Sequence, residues 1–368
     1  MLKFKDEFYK IEPIMSKNCQ YSMVIGERSN GKTFAGLELI VENWYTKREQ
    51  GAYIRRWKED FRGKRGQQLC EGLETTNKIA EITNGEWTHV KYFSGRWFLC
   101  KRDDDTDTMV TEDQPFMFGF SLSDMEHDKS TSYTMVTTII FDEFLTRSYY
   151  LPDEFVIFMN VLSTIIRHRN NVRIFMFANT VNKYAPYFKE MGLKHIPEMN
   201  PGKIDIYTYG TSELRVAVEL TASKNKKGKK SDAYFAFDNP SLNMITGGAW
   251  EIDMYPHAPR KFKYSEIVFA FFIDFNDCLL QAEIIFQEDA HFLYIHQKTT
   301  PLKDEDNDIL FSERYDPRPN HFRNIRKGTS KLEHKIAWYF QNDKVFYQDN
   351  EVGEVVRNYL QYCASDRR

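Results

Sequence analysis

Eight residues, Gly26-Glu27-Arg28-Ser29-Asn30-Gly31-Lys32-Thr33, constrain this chain more than any other stretch. They fit G-x-x-x-x-G-K-[ST] at every fixed position, the pattern of a loop whose backbone N–H groups cradle phosphates. Tyr21-Ser22-Met23-Val24-Ile25 ahead of it reads as a short buried strand, and Phe34-Ala35-Gly36-Leu37-Glu38-Leu39-Ile40-Val41 behind it reads as a helix. Gly26 and Gly31 let the backbone curl around a polyphosphate. The new helix adds its positive N-terminal end. In this pattern Lys32 reaches the β- and γ-phosphates of ATP, and the Thr33 hydroxyl binds Mg²⁺. The bland alternative is a glycine turn before a helix; the strand, the helix and the Lys-Thr pair together argue against it.

The rest of the composition sets bounds. With 368 residues, 42% of them hydrophobic, the chain can build two or three domains with real cores. A net charge of −3 excludes a general polyanion coat, so any nucleic-acid contact must come from local basic patches. Five scattered cysteines without a CxxC pair indicate neither zinc nor a disulfide framework, and a reducing cytosol is expected. The N-terminus lacks the apolar core of a signal peptide, and no run reaches transmembrane length, so no membrane role is expected.

Apolar runs at 116–120, 135–144 and 172–179 alternate with helical stretches, including one over roughly 153 to 166. Residues 51–58 read as a further strand ending in a basic cluster, and Trp87 to Arg102 as a hairpin turning at Ser94-Gly95. Such alternation predicts an α/β fold with a mostly parallel sheet covered on both faces. We expect a P-loop ATPase domain over 1–205, a linker subdomain over 206–256 and an α+β domain over 257–368. The last carries three antiparallel strands near 268–274, 279–286 and 291–296, then helices at about 331–342 and 351–363.

Chemistry beyond phosphate binding needs a second motif. Asp142 ends the apolar strand Met135–Phe141, the position of a Walker-B aspartate that holds Mg²⁺. Glu143 follows directly and suits a general base that orients the attacking water. Solvated acids at a strand end are the alternative for both. Asn179 also ends an apolar strand and could sense the γ-phosphate; an ordinary strand-end turn is its alternative. Adjacent Asp-Glu plus a polar strand-end sensor suggests P-loop ATPases with an additional strand between the P-loop and Walker-B strands. Ring-forming motors belong to that class and need a cation from the neighbouring subunit. Arg167, His168 and Arg169 follow the helix after Asp142, with Arg147 and Arg173 as rivals; for each, a surface salt bridge is the alternative.

The order GERSNGKT, YIRRWK, HDKSTSY, TTIIFDEF, TIIRHRNNVRIFMFANTV resembles the DNA encapsidation ATPases of small tailed phages, over about the first 190 residues. The remainder matches by layout alone. The resemblance implies a ring motor, usually a pentamer, docked on the prohead portal in the host cytoplasm and driving double-stranded DNA inward with ATP. It implies Arg167 as a trans-acting arginine finger, Lys129 as a second trans-acting cation, and Lys58 as a basic position near the nucleotide. It also implies an RNase H-like C-terminal domain that has lost its acidic cluster. Asp274 and Asp277 sit near the first C-terminal strand, without a set of carboxylates at later strand ends.

A motor that accepts any sequence must hold DNA by its phosphates. Lys224, Lys226, Lys227, Lys229 and Lys230 share one Gly-containing loop and are the candidates, against a solvated loop. A second patch, Arg314, Arg318, His321, Arg323, Arg326, Lys327 and Lys331, could face DNA, the portal or a structural packaging RNA. Two other functions compete: a large terminase with an active nuclease, and a nucleotide-dependent binding module without motor activity.

Overall fold

A computed structural model of the chain describes residues 8–103, 107–127, 132–148, 150–221, 250, 253–258, 262–287, 289–326 and 330–365. They fall into two compact units: one from Met1–Arg147, Asp153–Lys183 and Glu190–Trp250, the other from Ser148–Pro152, Tyr184–Lys189 and Glu251–Arg368.

The first unit is built on β1 (Tyr21–Gly26), β2 (Gln50–Arg55), β3 (His89–Phe93), β4 (Arg96–Arg102), β5 (Met109–Thr111), β6 (Met117–Ser121), β7 (Val136–Asp142), β8 (Arg173–Asn179), β9 (Lys203–Thr208) and β10 (Arg215–Leu220). Its strand order is β3-β4-β6-β2-β7-β8-β1-β10-β9, with β5 on β4. The stretch from β6 through β10 is parallel throughout. These strands are near-continuous apolar runs because both of their faces are covered: Val24, Ile25, Ile139, Ile140, Phe141, Met176 and Phe177 are all buried. β8 lies between β1 and β7, so the additional strand stands where the motifs require it.

Antiparallel strands extend both edges. β3 and β4 form the hairpin expected around Ser94-Gly95. β9 and β10 form another, and β10 pairs with β1. Residues 206–220, assigned from sequence to the linker, carry the end of β9 and all of β10 and so belong to the first unit's sheet: buried Val216, Ala217 and Val218 complete it beside β1.

Two of this unit's helices matter for the site. α1 (Lys32–Lys47) leaves the phosphate loop and buries Leu37, Ile40, Val41 and Trp44 against the sheet. α2 (Glu154–Ile166) follows β7 and buries Phe158, Val161, Leu162 and Ile165, an i, i+3, i+4, i+7 stripe. Phe158 packs on Phe141 with ring centroids 4.8 Å apart. Arg167 ends α2 in a left-handed conformation, φ 43°.

In the second unit, β11 (Ile267–Phe275), β12 (Cys278–Gln287) and β13 (Ala290–Gln297) form an antiparallel meander. β14 (Leu310–Ser312) and β15 (His321–Phe322) add in parallel beside β11, and β16 (Val345–Tyr347) beside β13. The order β15-β14-β11-β12-β13-β16 is the RNase H-like arrangement that the resemblance implies, with β16 added at one edge. α3 (Lys331–Gln341) starts from Ser330, which accepts from the Glu333 N–H while Glu333 returns the bond, a capping box. α4 (Asn350–Ser365) buries Val352, Val355, Val356, Tyr359 and Cys363 in the same core as Phe271, Ile273, Leu293 and Ile295.

Candidate nucleotide site

The phosphate loop turns between β1 and α1. Gly31 carries φ 90° and Ser29 φ 59°, left-handed conformations that close the loop and aim its N–H groups inward. A side chain on Gly26 would place its Cβ 1.8 Å from Thr221 Oγ1, so only glycine fits where β10 passes the loop. The Thr221 N–H donates to Ile25 O at 2.8 Å. Asn30 Nδ2 donates to Thr221 Oγ1 at 3.2 Å, which ties the loop to β10. On its other side the Tyr9 N–H donates to Asn30 O at 2.7 Å, and Phe8 stacks on Phe34.

Lys32 points back over this loop. Its ammonium donates to Glu27 O at 2.7 Å, to Asn30 Oδ1 at 3.0 Å and to Asn179 Oδ1 at 3.4 Å. Burial pushes the Lys32 pKa down to about 8, against the pull of Asp142 and Glu27. Gly26 and Asn179 are register partners across β1 and β8, which brings Asn179 to the lysine. Strand-end placement, read from sequence, and contact with Lys32 therefore coincide.

Asp142 and Glu143 lie at the end of β7. Thr33 Oγ1 donates to Asp142 Oδ2 at 2.8 Å, and Tyr53 OH donates to the same oxygen at 2.6 Å. One buried carboxylate beside one hydroxyl is an oxygen set that suits Mg²⁺, which keeps the rest of its shell for phosphate oxygens and water. Among the described residues no group of three or more His, Cys, Asp or Glu is placed to hold a metal by itself. Glu143 has φ 55°, and its carboxylate turns outward, 59% exposed, to Arg55 Nη2 at 2.7 Å. Arg55 Nη1 is also 3.6 Å from Asp142, and its Nε donates to Asp60 at 3.2 Å.

The remaining sequence candidates fall elsewhere. The Lys58 ammonium pairs with Asp124, and its N–H donates to Ser123 Oγ at 3.1 Å. Arg167 is exposed at the end of α2, in an open groove of about 490 Å³ that Met159, Leu162, Ser163, Ile166 and His168 also line. Arg169 is turned inward onto backbone carbonyls. Arg147 donates to Val181 O at 3.1 Å, and Arg173 to Asn18 Oδ1 at 2.8 Å. Lys129, Lys327 and the five lysines of 224–230 lie outside the described residues.

Sequence reading missed Tyr53, Arg55, Arg56 and Glu154. YIRRWK drew attention for Lys58, yet its Tyr53, Arg55 and Arg56 reach Asp142, Glu143 and Phe144 at the end of β7. The usable signal was that β2 neighbours β7, which only the strand order reveals. In the second unit it missed Glu313. Asp274 is the register partner of Ser312, so Glu313 falls at the adjacent strand end. A further carboxylate therefore joins Asp274 and Asp277, the two that sequence showed, at this end of the sheet. Glu313 is paired with Lys189 at 2.6 Å, and Asp277 with Arg314. Burial raises the Asp274 pKa.

A family model described as podovirus DNA encapsidation protein (Gp16) matches residues 4–356. A DNA packaging protein of Bacillus phage B103 is 33% identical over 208 residues, 56% of this chain and 57% of that protein. The DNA packaging protein of Bacillus phage phi29 is 24% identical over 225 residues, 60% of each. The chain thus spans about 60% of the length of the curated relatives it matches. Among solved structures, the bacteriophage Phi-29 viral genome packaging motor assembly has a chain with the same fold. It aligns with a TM-score of 0.55 and 20% identity, covering 96% of this chain and 97% of that one.

Proposed function

The chain belongs to the podovirus DNA encapsidation protein (Gp16) family, and from that premise we propose that it is an ATPase driving double-stranded DNA into a phage prohead. The observation that carries this reading is the convergence of Lys32, Thr33, Asp142 and Asn179 on one phosphate loop, with Glu143 next to Asp142.

Each residue has a distinct part. The backbone N–H groups of Gly26 through Thr33, with Arg28, Ser29 and Asn30 at the crown, receive the phosphates. Lys32 exchanges its present acceptors for β- and γ-phosphate oxygens. Thr33 and Asp142 would hold Mg²⁺, which supplies neutralisation of phosphate charge. Glu143 orients the attacking water and accepts its proton. Asn179 hydrogen-bonds the γ-phosphate or that water. Arg167 reaches the site of the next subunit, with Lys129 as a second cation from the same subunit, and stabilises charge in the transition state; such fingers are worth about 10³–10⁵ in rate. Lys58 serves as a further basic position.

The working form is a ring, a pentamer by resemblance, docked on the prohead portal with or without a structural RNA. The lysines at 224, 226, 227, 229 and 230 contact DNA phosphates. The paired state of Asp277 and Glu313 supports a binding or docking role for the C-terminal unit.

The test is direct. Lys32→Ala should lose ATP binding, whereas Glu143→Gln should bind ATP and hydrolyse it about 10²–10⁴-fold more slowly. Replacing the five lysines by Ser should flatten the salt dependence of DNA binding, the log–log slope falling by about 0.9 for each phosphate that is no longer neutralised. Equal ATP affinity in wild type and Lys32→Ala would reject the phosphate-loop assignment, and absence of DNA-stimulated turnover would favour a binding module.

A further inference from the structure

Helix α2 is lashed to the catalytic strand β7 at both ends, each time by one arginine reaching backbone carbonyls. At the N-terminal end, Arg56 Nε donates to Glu154 Oε2 at 2.7 Å and its Nη2 to Glu154 Oε1 at 2.9 Å. Glu154 is the first residue of α2. The same guanidinium donates to Glu143 O at 3.1 Å and to Phe144 O at 2.8 Å. The side chains of Arg56 and Glu154 are 6% and 1% exposed. At the other end, Arg169 donates to Ile165 O and Ile166 O of α2 at 2.9 and 3.1 Å. It also donates to Tyr133 O, Thr134 O and Val136 O, at and just before the start of β7, at 3.1, 3.0 and 2.6 Å.

A buried ion pair is a poor source of stability, because desolvating both charges offsets their attraction. Its value lies in fixing geometry, and here the geometry links two functional ends. Arg56 grips the carbonyl of Glu143, a residue in a left-handed conformation, φ 55°. Arg169 grips the last turn of α2, two residues from Arg167. Between them α2 spans about 20 Å, at 1.5 Å per residue, stiffened by Phe158 on Phe141.

We propose that Arg56 and Arg169 are positioning residues: Arg56 sets the Glu143 carboxylate for its own site, and Arg169 sets Arg167 for the site of the neighbouring subunit, through one shared helix. This rests on the reading of Glu143 as base and Arg167 as finger. Displacing either group by about 1 Å costs roughly 10²-fold in turnover. Arg56 bonds to Glu154 and to the carbonyls of Glu143 and Phe144, and Arg169 to carbonyls of α2 and the start of β7, so ATP affinity should be unaffected.

Mixed rings test it. Full-length Arg56→Lys and Arg169→Lys keep the charge and lose the multiple carbonyl bonds. Each is mixed with Glu143→Gln and, separately, with Arg167→Ala, and DNA-stimulated ATP turnover is measured in complexes shown to be mixed. Arg169→Lys should restore turnover with Glu143→Gln but not with Arg167→Ala, because its own base is intact and its finger is not. Arg56→Lys should do the reverse. Homogeneous rings of either should turn over roughly 10²-fold more slowly with unchanged affinity for a nonhydrolysable ATP analogue. Wild-type turnover in either homogeneous ring, or the same result with both testers, overturns the proposal. If Arg56→Lys fails to fold, by thermal unfolding, the Arg169→Lys pattern alone decides. The control mixture of Glu143→Gln with Arg167→Ala reports on the underlying reading: no recovery there removes the finger assignment, and this inference falls with it.

Discussion

Arg55 Nη2 lies 2.7 Å from Glu143 Oε2, so the carboxylate assigned to orient water is held in an ion pair. Turnover must release it. An ion pair with one partner more than half exposed is worth at most about 1 kcal/mol, and Arg55→Ala should therefore shrink the ratio of DNA-stimulated to basal ATP turnover about five-fold, mainly by raising the basal rate. Steady-state assays with and without DNA measure the ratio. If it does not change, Arg55 does not restrain Glu143.

Lys32 gives the site a pH signature. Its folded pKa of about 8 lies below the ordinary 10.5. Between those values the unfolded chain holds a proton that the folded chain lacks, so this group adds stability as pH rises through the window. A polyphosphate favours the ammonium form, so ATP binding above pH about 8 must take up a proton. The log Kd of a nonhydrolysable analogue should rise with a slope approaching about one per pH unit above that point. Lys32→Arg stays charged and should show no such slope. A flat wild-type profile would mean that Lys32 keeps its proton throughout.

Gly26 and Thr221 form a coupled pair. Gly26→Ala drives a methyl into Thr221, with ideal Cβ contacts of 1.8 Å to Oγ1 and 3.0 Å to Cβ. Overpacking of this kind costs about 1–3 kcal/mol, and it displaces the loop that Asn30 ties to Thr221. Nucleotide affinity and thermal stability should both fall. Gly26→Ala/Thr221→Gly removes the clash and should recover part of both in calorimetry. No recovery would show that the Asn30–Thr221 bond, which the second substitution also removes, holds the loop more than the clash disturbs it.

The second unit should not cut DNA. Asp274 and Glu313 share a strand end, but Lys189 and Arg314 neutralise the carboxylates around them. Supercoiled plasmid incubated with the protein and Mn²⁺ should stay intact. Nicking that disappears in Asp274→Ala would establish the terminase reading instead.

What sequence made legible was the part of the site that lies on short local patterns. Gly26 to Thr33 and Met135 to Glu143 declare themselves because a buried parallel strand is apolar throughout and its functional residue sits at the end. The three-strand meander and both C-terminal helices were legible for the same local reason. The bonds of Arg56 and Arg169 to backbone carbonyls were not, since carbonyls carry no residue identity. Glu313 was hidden because β14 is a three-residue strand, too short to show a pattern, and its relation to Asp274 exists only across the sheet. Residues 206–220 looked like the start of a linker because β9 is half polar as an edge strand, though its partner β10 is core.

The position of β8 also acts as a gauge. Neighbouring strands lie about 4.8 Å apart, so inserting β8 between β1 and β7 sets the backbones of those two strands about 9.6 Å apart, two spacings. Lys32 and Thr33 close that gap from one side and Asp142 from the other, with Asn179 standing in the middle. The inserted strand thus contributes to the site a polar group, Asn179, that neither β1 nor β7 carries at its end.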